Sequence, residues 1–187
     1  MKRNLFVSFL LGISILSSSC QSNSSKHSNV SRDAGHTIGK VIGIIDGDTY
    51  DLLIEGNKTI RIRMDGIDAP ERGMPFYKVS KNYLAKLCFK QQVRFKAEGK
   101  DVHNRNLGFT YLGDGSEVGH LMVKAGMAWH FKKYNSEKEL ANLEIEARNA
   151  RRGLWYDENP MAPWENRKLH RQGISTKGSF NIQPGQE

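Results

Sequence analysis

The stretch IGKVIGIIDGDTYDLLIEGNKTIRIRM, residues 38–64, decides the architecture. It breaks into three short apolar runs, 38–45, 50–54 and 58–64, rich in β-branched residues and separated by Asp46-Gly47-Asp48 and Glu55-Gly56-Asn57. Asp, Gly and Asn are the residues a reversing backbone accepts most readily, so the pattern predicts three antiparallel strands joined by tight turns.

Downstream, Phe76, Val79, Tyr83 and Leu87 recur at helical spacing with Leu84 and Cys88 beside them, and Pro75 is placed in the first turn of that helix. Residues 92–98 and 107–112 alternate as two further strands, joined by the polar loop 99–106 and closed by Gly113-Asp114-Gly115. A short helix over 117–125 ends at Gly126, and 127–130 adds an extended piece. A final helix carries Leu140, Leu143, Ala147 and Ala150 on one stripe; Ser136 and Glu139 are read as its capping box and Glu144 as the partner of Arg148. Gly153 stops it, and Leu154-Trp155 is expected to fold back onto the core. The fold class predicted is α+β, mainly β: a five-stranded OB-type barrel with about three helices, in which closure removes exposed sheet edges.

A chain of 187 residues with 38% apolar and 26% charged residues suits one globular domain with extensions. The formal charge of +8 falls only to +6 if Lys2 and Arg3 are removed with a leader, a surplus that favours polyanionic partners without specifying one. Such a leader is expected over 1–20, because the apolar run 5–16 has the length of an export h-region and is too short to span a bilayer comfortably. Ser17, Ser18 and Ser19 lead into Cys20, an arrangement that resembles a bacterial lipoprotein signal with Cys20 as the lipidated residue. Ser17 stands where a leucine is expected, so cleavage after Ser19 into a secreted soluble protein stays open. The predicted organisation is a leader at 1–20, a Ser/Asn-rich tether at 21–36, a folded domain at 37–169 and a loose tail at 170–187. With Cys20 lipidated, Cys88 has no disulfide partner.

Three constellations can carry chemistry. Asp46-Gly47-Asp48-Thr49 reads as a plain hairpin turn or as a turn that pushes a carboxylate toward a hard cation. Arg63 and the run Asp65-Gly66-Ile67-Asp68-Ala69-Pro70-Glu71 place an arginine and clustered acids on a stiffened turn; a surface pair of Arg63 with Asp65 is the bland alternative. The loop Lys100-Asp101-Val102-His103-Asn104-Arg105-Asn106 offers a guanidinium fork suited to phosphate oxygens, with Asn104 able to take a left-handed backbone, or else is a solvated rim.

Taken together, in this order, these segments resemble the staphylococcal nuclease family. The resemblance spans roughly residues 38–155 and is strengthened by Gly126-Met127-Ala128-Trp129, Gly153-Leu154-Trp155 and the later Asn159-Pro160-Met161-Ala162-Pro163-Trp164-Glu165. It implies a calcium-dependent phosphodiesterase that cuts DNA and RNA to leave 3′-phosphate ends. By position, Asp48, Asp68 and the main-chain carbonyl of Ala69 would hold Ca2+, with Asp46 as an outer-shell acid; Arg63 and Arg105 would hold the phosphate and Glu71 would act as general base. His103-Asn104 replaces the family's usual Tyr-Gly, so the imidazole is expected to take over a phosphate contact. Tyr134, and after it Phe131, is the candidate for stacking on a base of single-stranded or frayed substrate, with Lys132 adding salt-dependent attraction; both rings have core packing as their alternative. Rival readings are a binding module that has lost catalysis and a structural barrel stabilised by calcium. The presence of Asp48, Asp68, Glu71, Arg63 and Arg105 together favours an enzyme.

Overall fold

A computed structural model describes residues 35–176. The leader with Cys20, most of the tether and the end of the tail therefore lie outside the described residues. Strands β1 (His36–Ile44), β2 (Thr49–Ile54) and β3 (Lys58–Met64) form the predicted meander, and β5 (Gln92–Lys100) with β6 (Asn106–Tyr111) completes a closed mixed barrel in the order β1-β2-β3-β6-β5. Two-residue strands β4 (Ile67–Asp68) and β7 (Trp129–His130) pair outside it. Helices α1 (Tyr77–Cys88), α2 (Val118–Lys124) and α3 (Lys138–Asn149) send side chains into the barrel core, and α4 (Pro163–Arg171) lies beside a second apolar cluster.

The register does the positioning. In the antiparallel β2–β3 ladder Thr49 lies opposite Arg63, and in the parallel β3–β6 seam Arg63 lies opposite Leu107 and Ile62 opposite Asn106. The start of β2, the end of β3 and the start of β6 thus meet at one end of the barrel, and each is flanked by one of the three polar turns. Met64 N donates to Asp48 O at 2.9 Å, which ties the first turn to the second.

Alternation along the strands sends Val41, Tyr50, Leu52, Ile62, Met64, Val93 and Phe95 inward, where Leu84 and Cys88 of α1, Val118, Met122 and Val123 of α2 and Leu140 of α3 join them. Burial of these side chains, each contributing roughly 1.5–3 kcal/mol, is the main stabilising term. The buried Tyr50 hydroxyl meets Thr110 Oγ1 at 2.8 Å, so the one phenol inside the barrel has a polar partner. A second cluster gathers Phe76, Trp129, Ala147, Leu154, Trp155 and Ala162, with Leu154-Trp155 folded back onto the core. It is pinned by the close approach of Gly126 to the Arg152–Gly153 backbone, where Leu154 N donates to Gly126 O at 2.8 Å and a Cβ on Gly126 would strike the Arg152 carbonyl.

Three local expectations are corrected. Pro75 lies before α1, because Phe76 takes a left-handed conformation (φ 63°) to bury its ring in the second cluster and the helix begins at Tyr77. Ser136 and Glu139 form no capping box: α3 starts after Glu137, whose N–H is taken by Asn135 Oδ1 at 2.8 Å, while the Glu137 carboxylate meets His120 at 2.9 Å. The helices number four among the described residues. The additional one, α4, has Pro163 at its start, Glu165 in its first turn and Lys168, His170 and Arg171 in its last, a charge order that suits the helix dipole.

Candidate active site

The turn between β1 and β2 is built by its own side chains. Asp46 Oδ1 accepts from Asp48 N at 3.1 Å, and Ile45 N donates to Thr49 O at 2.9 Å. Gly47 packs against α1 so closely that a Cβ there would collide with the Ser80 hydroxyl and crowd Ala69, so glycine is required for the turn to sit at this depth. The buried Asp48 is fixed on both oxygens: Oδ1 accepts from Thr49 Oγ1 at 2.9 Å and Oδ2 from Ala69 N at 2.7 Å. One hydrogen bond therefore spans the two acidic turns.

Arg63 lies between their carboxylates, with Nη1 3.1 Å from Asp48 Oδ2 and Nη2 3.0 Å from Asp68 Oδ1, and it also donates to the carbonyls of Met64 and Ile67. The alternative pairing with Asp65 is not formed; Asp65 Oδ1 instead accepts from Gly66 N at 2.7 Å. Arg105 is brought to the same end. Its Nε donates to Asp101 Oδ2 at 2.6 Å and its Nη1 to Thr49 Oγ1 at 3.3 Å, so a single hydroxyl links it to Asp48. Asn104 adopts φ 61°, the left-handed conformation expected of it.

Crowded acids in a partly dry site resist ionisation. Burial first, and the neighbouring Asp48 second, push the Asp46 carboxyl up to about 7. Burial likewise raises Asp68 above the ordinary carboxylate range, although Arg167 and Arg63 oppose the shift. When ionised, Asp46, Asp48, Asp68 and Glu71 bring four negative charges, and the guanidinium groups of Arg63 and Arg167 return two. The remaining pair of charges, on oxygen donors alone, suits a hard divalent cation.

Residues 61–157, just over half of the chain, match the family described as "Staphylococcal nuclease homologue". The chain belongs to the staphylococcal nuclease family. It is 37% identical over 126 residues to an "Uncharacterized endonuclease" of Escherichia coli O157:H7, a match covering 67% of this chain and 82% of that protein. It is 37% identical over 147 residues to a "Micrococcal nuclease" of Shigella flexneri, covering 73% and 84%. To the "Staphylococcal-like nuclease CAN1" of Arabidopsis thaliana it is 40% identical over 116 residues, covering 62% of this chain and 36% of that longer protein. As a staphylococcal nuclease homologue the protein is a hydrolase of the nuclease class, and its closed barrel agrees with that family's OB-like fold.

The staphylococcal nuclease resemblance did not point to Arg167, which belongs to α4 and lies beyond the matched residues. Its Nη2 is 2.6 Å from Asp68 Oδ2 and its Nη1 2.6 Å from Glu71 Oε1, so one planar fork clamps two acids of the second turn. Asn166 reaches the other Glu71 oxygen at 3.4 Å, and Thr176 in turn donates to Asn166 at 2.6 Å. The signal available in the sequence was the cationic second half of the Pro163-started helix, which says that basic residues are presented but not to what.

The remaining predicted residues lie further out. His103 is exposed, its backbone N–H bonded to Asp101, and its ring makes no hydrogen bond or ion pair among the described residues. Tyr134 is 67% exposed and meets Phe131 edge-on at 4.8 Å, whereas Phe131 stacks flat on Trp164 at 5.3 Å and 6°. Lys132 pairs with the buried Glu144, which Arg148 also approaches at 3.5 Å. A separate cluster of His120, Glu137 and Glu139 ties α2 to the start of α3.

Proposed function

We propose that this nuclease is a calcium-dependent endonuclease that hydrolyses single-stranded or frayed DNA and RNA to products with 3′-phosphate ends. The observation that carries the reading is the Asp48–Arg63–Asp68 bridge, with Glu71 on the same turn and Arg105 one hydroxyl away. Asp48, Asp68 and the Ala69 carbonyl are assigned to Ca2+, with Asp46 behind them. The ion would offset the charge that accumulates on the phosphate as it is attacked. Arg63 and Arg105 exchange part of their carboxylate contacts for the scissile phosphate and hold its equatorial oxygens. Glu71 accepts the proton of the attacking water, and the leaving 5′ oxygen departs opposite the attack and takes up a proton from solvent to leave as the alcohol. Tyr134, backed by Phe131, offers its exposed face to an unpaired base; His103 and Lys132 supply outer contacts.

Digestion of labelled single-stranded DNA, duplex DNA and RNA with calcium or with chelator tests this reading. Cleavage is expected with calcium alone, fastest on the single strand, and the product ends should be susceptible to a 3′-phosphatase. Undiminished cleavage in chelator would defeat it. Binding without cleavage would convert the reading to a recognition module.

Export with a lipid anchor on Cys20 is proposed on the strength of the leader pattern, and no helix among the described residues is long and apolar enough to cross a membrane. Cys20→Ser should release the protein from membranes if the anchor exists, and unchanged fractionation would refute it.

A further inference from the structure

Helix α4 does more than clamp the acids. Together with the segment after β7 and the outer face of α3 it walls a groove of about 540 Å³. Arg167, the residue that holds Asp68 and Glu71, is part of its lining, so the groove adjoins the acidic turn through that side chain. Six cationic side chains line it against a single carboxylate, Glu144. That carboxylate is already answered by Lys132 and Arg148. Lys168 and Arg171, one helical turn apart on α4, are exposed and make no ion pair among the described residues, so their charge is uncommitted.

The rings are arranged for the same occupant. Trp164 and Phe131 stack on each other and hold Tyr134 at the groove edge with most of its surface in solvent. At the floor His130 is 2% exposed; its Nε2 faces the two Asn135 oxygens, and its Nδ1 has no hydrogen-bond partner. A groove that interleaves cations with an exposed aromatic ring, Tyr134, over which Lys133 lies at 5.3 Å, fits a flexible polyanion that carries flat bases.

We propose that this groove is an extended track for single-stranded nucleic acid, in which Lys168 and Arg171 of α4 hold phosphates several nucleotides away from the bond being cut. The inference rests on the nuclease reading and adds to it a binding surface whose α4 side, Trp164 to Arg171, lies beyond residues 61–157. It makes α4 a determinant of how long a strand the enzyme grips.

The test is binding of fluorescent single-stranded DNA of two and of eight nucleotides to the mature protein in chelator, over a range of salt, compared with Lys168→Gln/Arg171→Gln. Both side chains are solvent-exposed, so an unchanged melting curve is expected for the variant. For the eight-mer, affinity should fall about tenfold and the slope of log K against log salt should lessen by about 1.4, two contacts at ~0.7 each on a single strand. The two-nucleotide probe should lose less affinity than the eight-mer. Equal slopes and affinities in variant and wild type, with wild-type cleavage of the same DNA intact, would overturn the track alone. A wild-type protein that neither binds nor cuts the eight-mer would overturn both the track and the nuclease reading.

Discussion

Arg63 shows how little freedom a single residue has at this site. Its two nitrogens meet Asp48 and Asp68 at 3.1 and 3.0 Å while Nη1 also serves two carbonyls. Lysine offers one point charge where a planar fork is needed, so Arg63→Lys should lower kcat on single-stranded DNA by about 10²–10³-fold, nearly as far as Arg63→Ala. Steady-state kinetics decides it, and retention of a tenth or more of the activity would contradict the fork's role. Gly47→Ala has no room beside Ser80 and Ala69 and should cost about 1–3 kcal/mol in denaturant unfolding, with activity lost alongside. Cys88 is fully buried, and burial pushes its thiol up to about 12. A disulfide reagent at pH 8 should therefore leave Cys88 unmodified in the native protein and label it promptly once the protein is unfolded.

At the scale of elements, α4 joins the two roles, since Arg167 secures the acidic turn while Lys168 and Arg171 line the groove. Arg167→Ala deletes one partner of Asp68 and Glu71 while Arg63 still answers Asp68, so a loss of about 1–2 kcal/mol is expected, observable as a melting point lower by a few degrees. Because Glu71 loses its strongest tether, kcat should fall more than KM rises; the opposite split would mean that Arg167 only binds substrate. Much of the site is legible in the sequence, since strand alternation fixes which turns share an end of the barrel. Asp48, Arg63 and Asp68 lie within 20 positions of one another, and the hairpin register that sets Thr49 opposite Arg63 brings their turns together. Arg167 lies 99 positions from Asp68, and no local pattern reports a contact at that separation. The α3 start departs from the sequence pattern for a related reason. Ser136 has the right spacing to Glu139, but the tertiary pull of His120 on Glu137 and the nearer Asn135 oxygen decide where the helix begins. Phe76 follows the same logic, since burial of its ring outweighs the preference for Pro75 at a helix start.

Across the whole molecule, the charge carried by the site couples folding to pH. In the metal-free protein Asp46, pushed up to about 7, and Asp68, raised likewise, bind protons more tightly folded than unfolded. Their contribution to stability is therefore present at low pH and lost as pH rises through the Asp46 value. Denaturant unfolding in chelator should show stability falling between pH 5 and pH 8, and calcium should remove or reverse the fall if it binds these acids. A metal-free protein that gains stability over that range would show that the acids are better compensated than their surroundings indicate.

The order of synthesis gives the α4 clamp a further meaning. Glu71 is made early, but Asn166 and Arg167, which secure it, come 95 and 96 positions later. A nascent chain that has passed β6 but not yet reached α4 holds every strand of the barrel and still presents an unanchored glutamate, so the site is complete only once α4 has followed the barrel out of the ribosome.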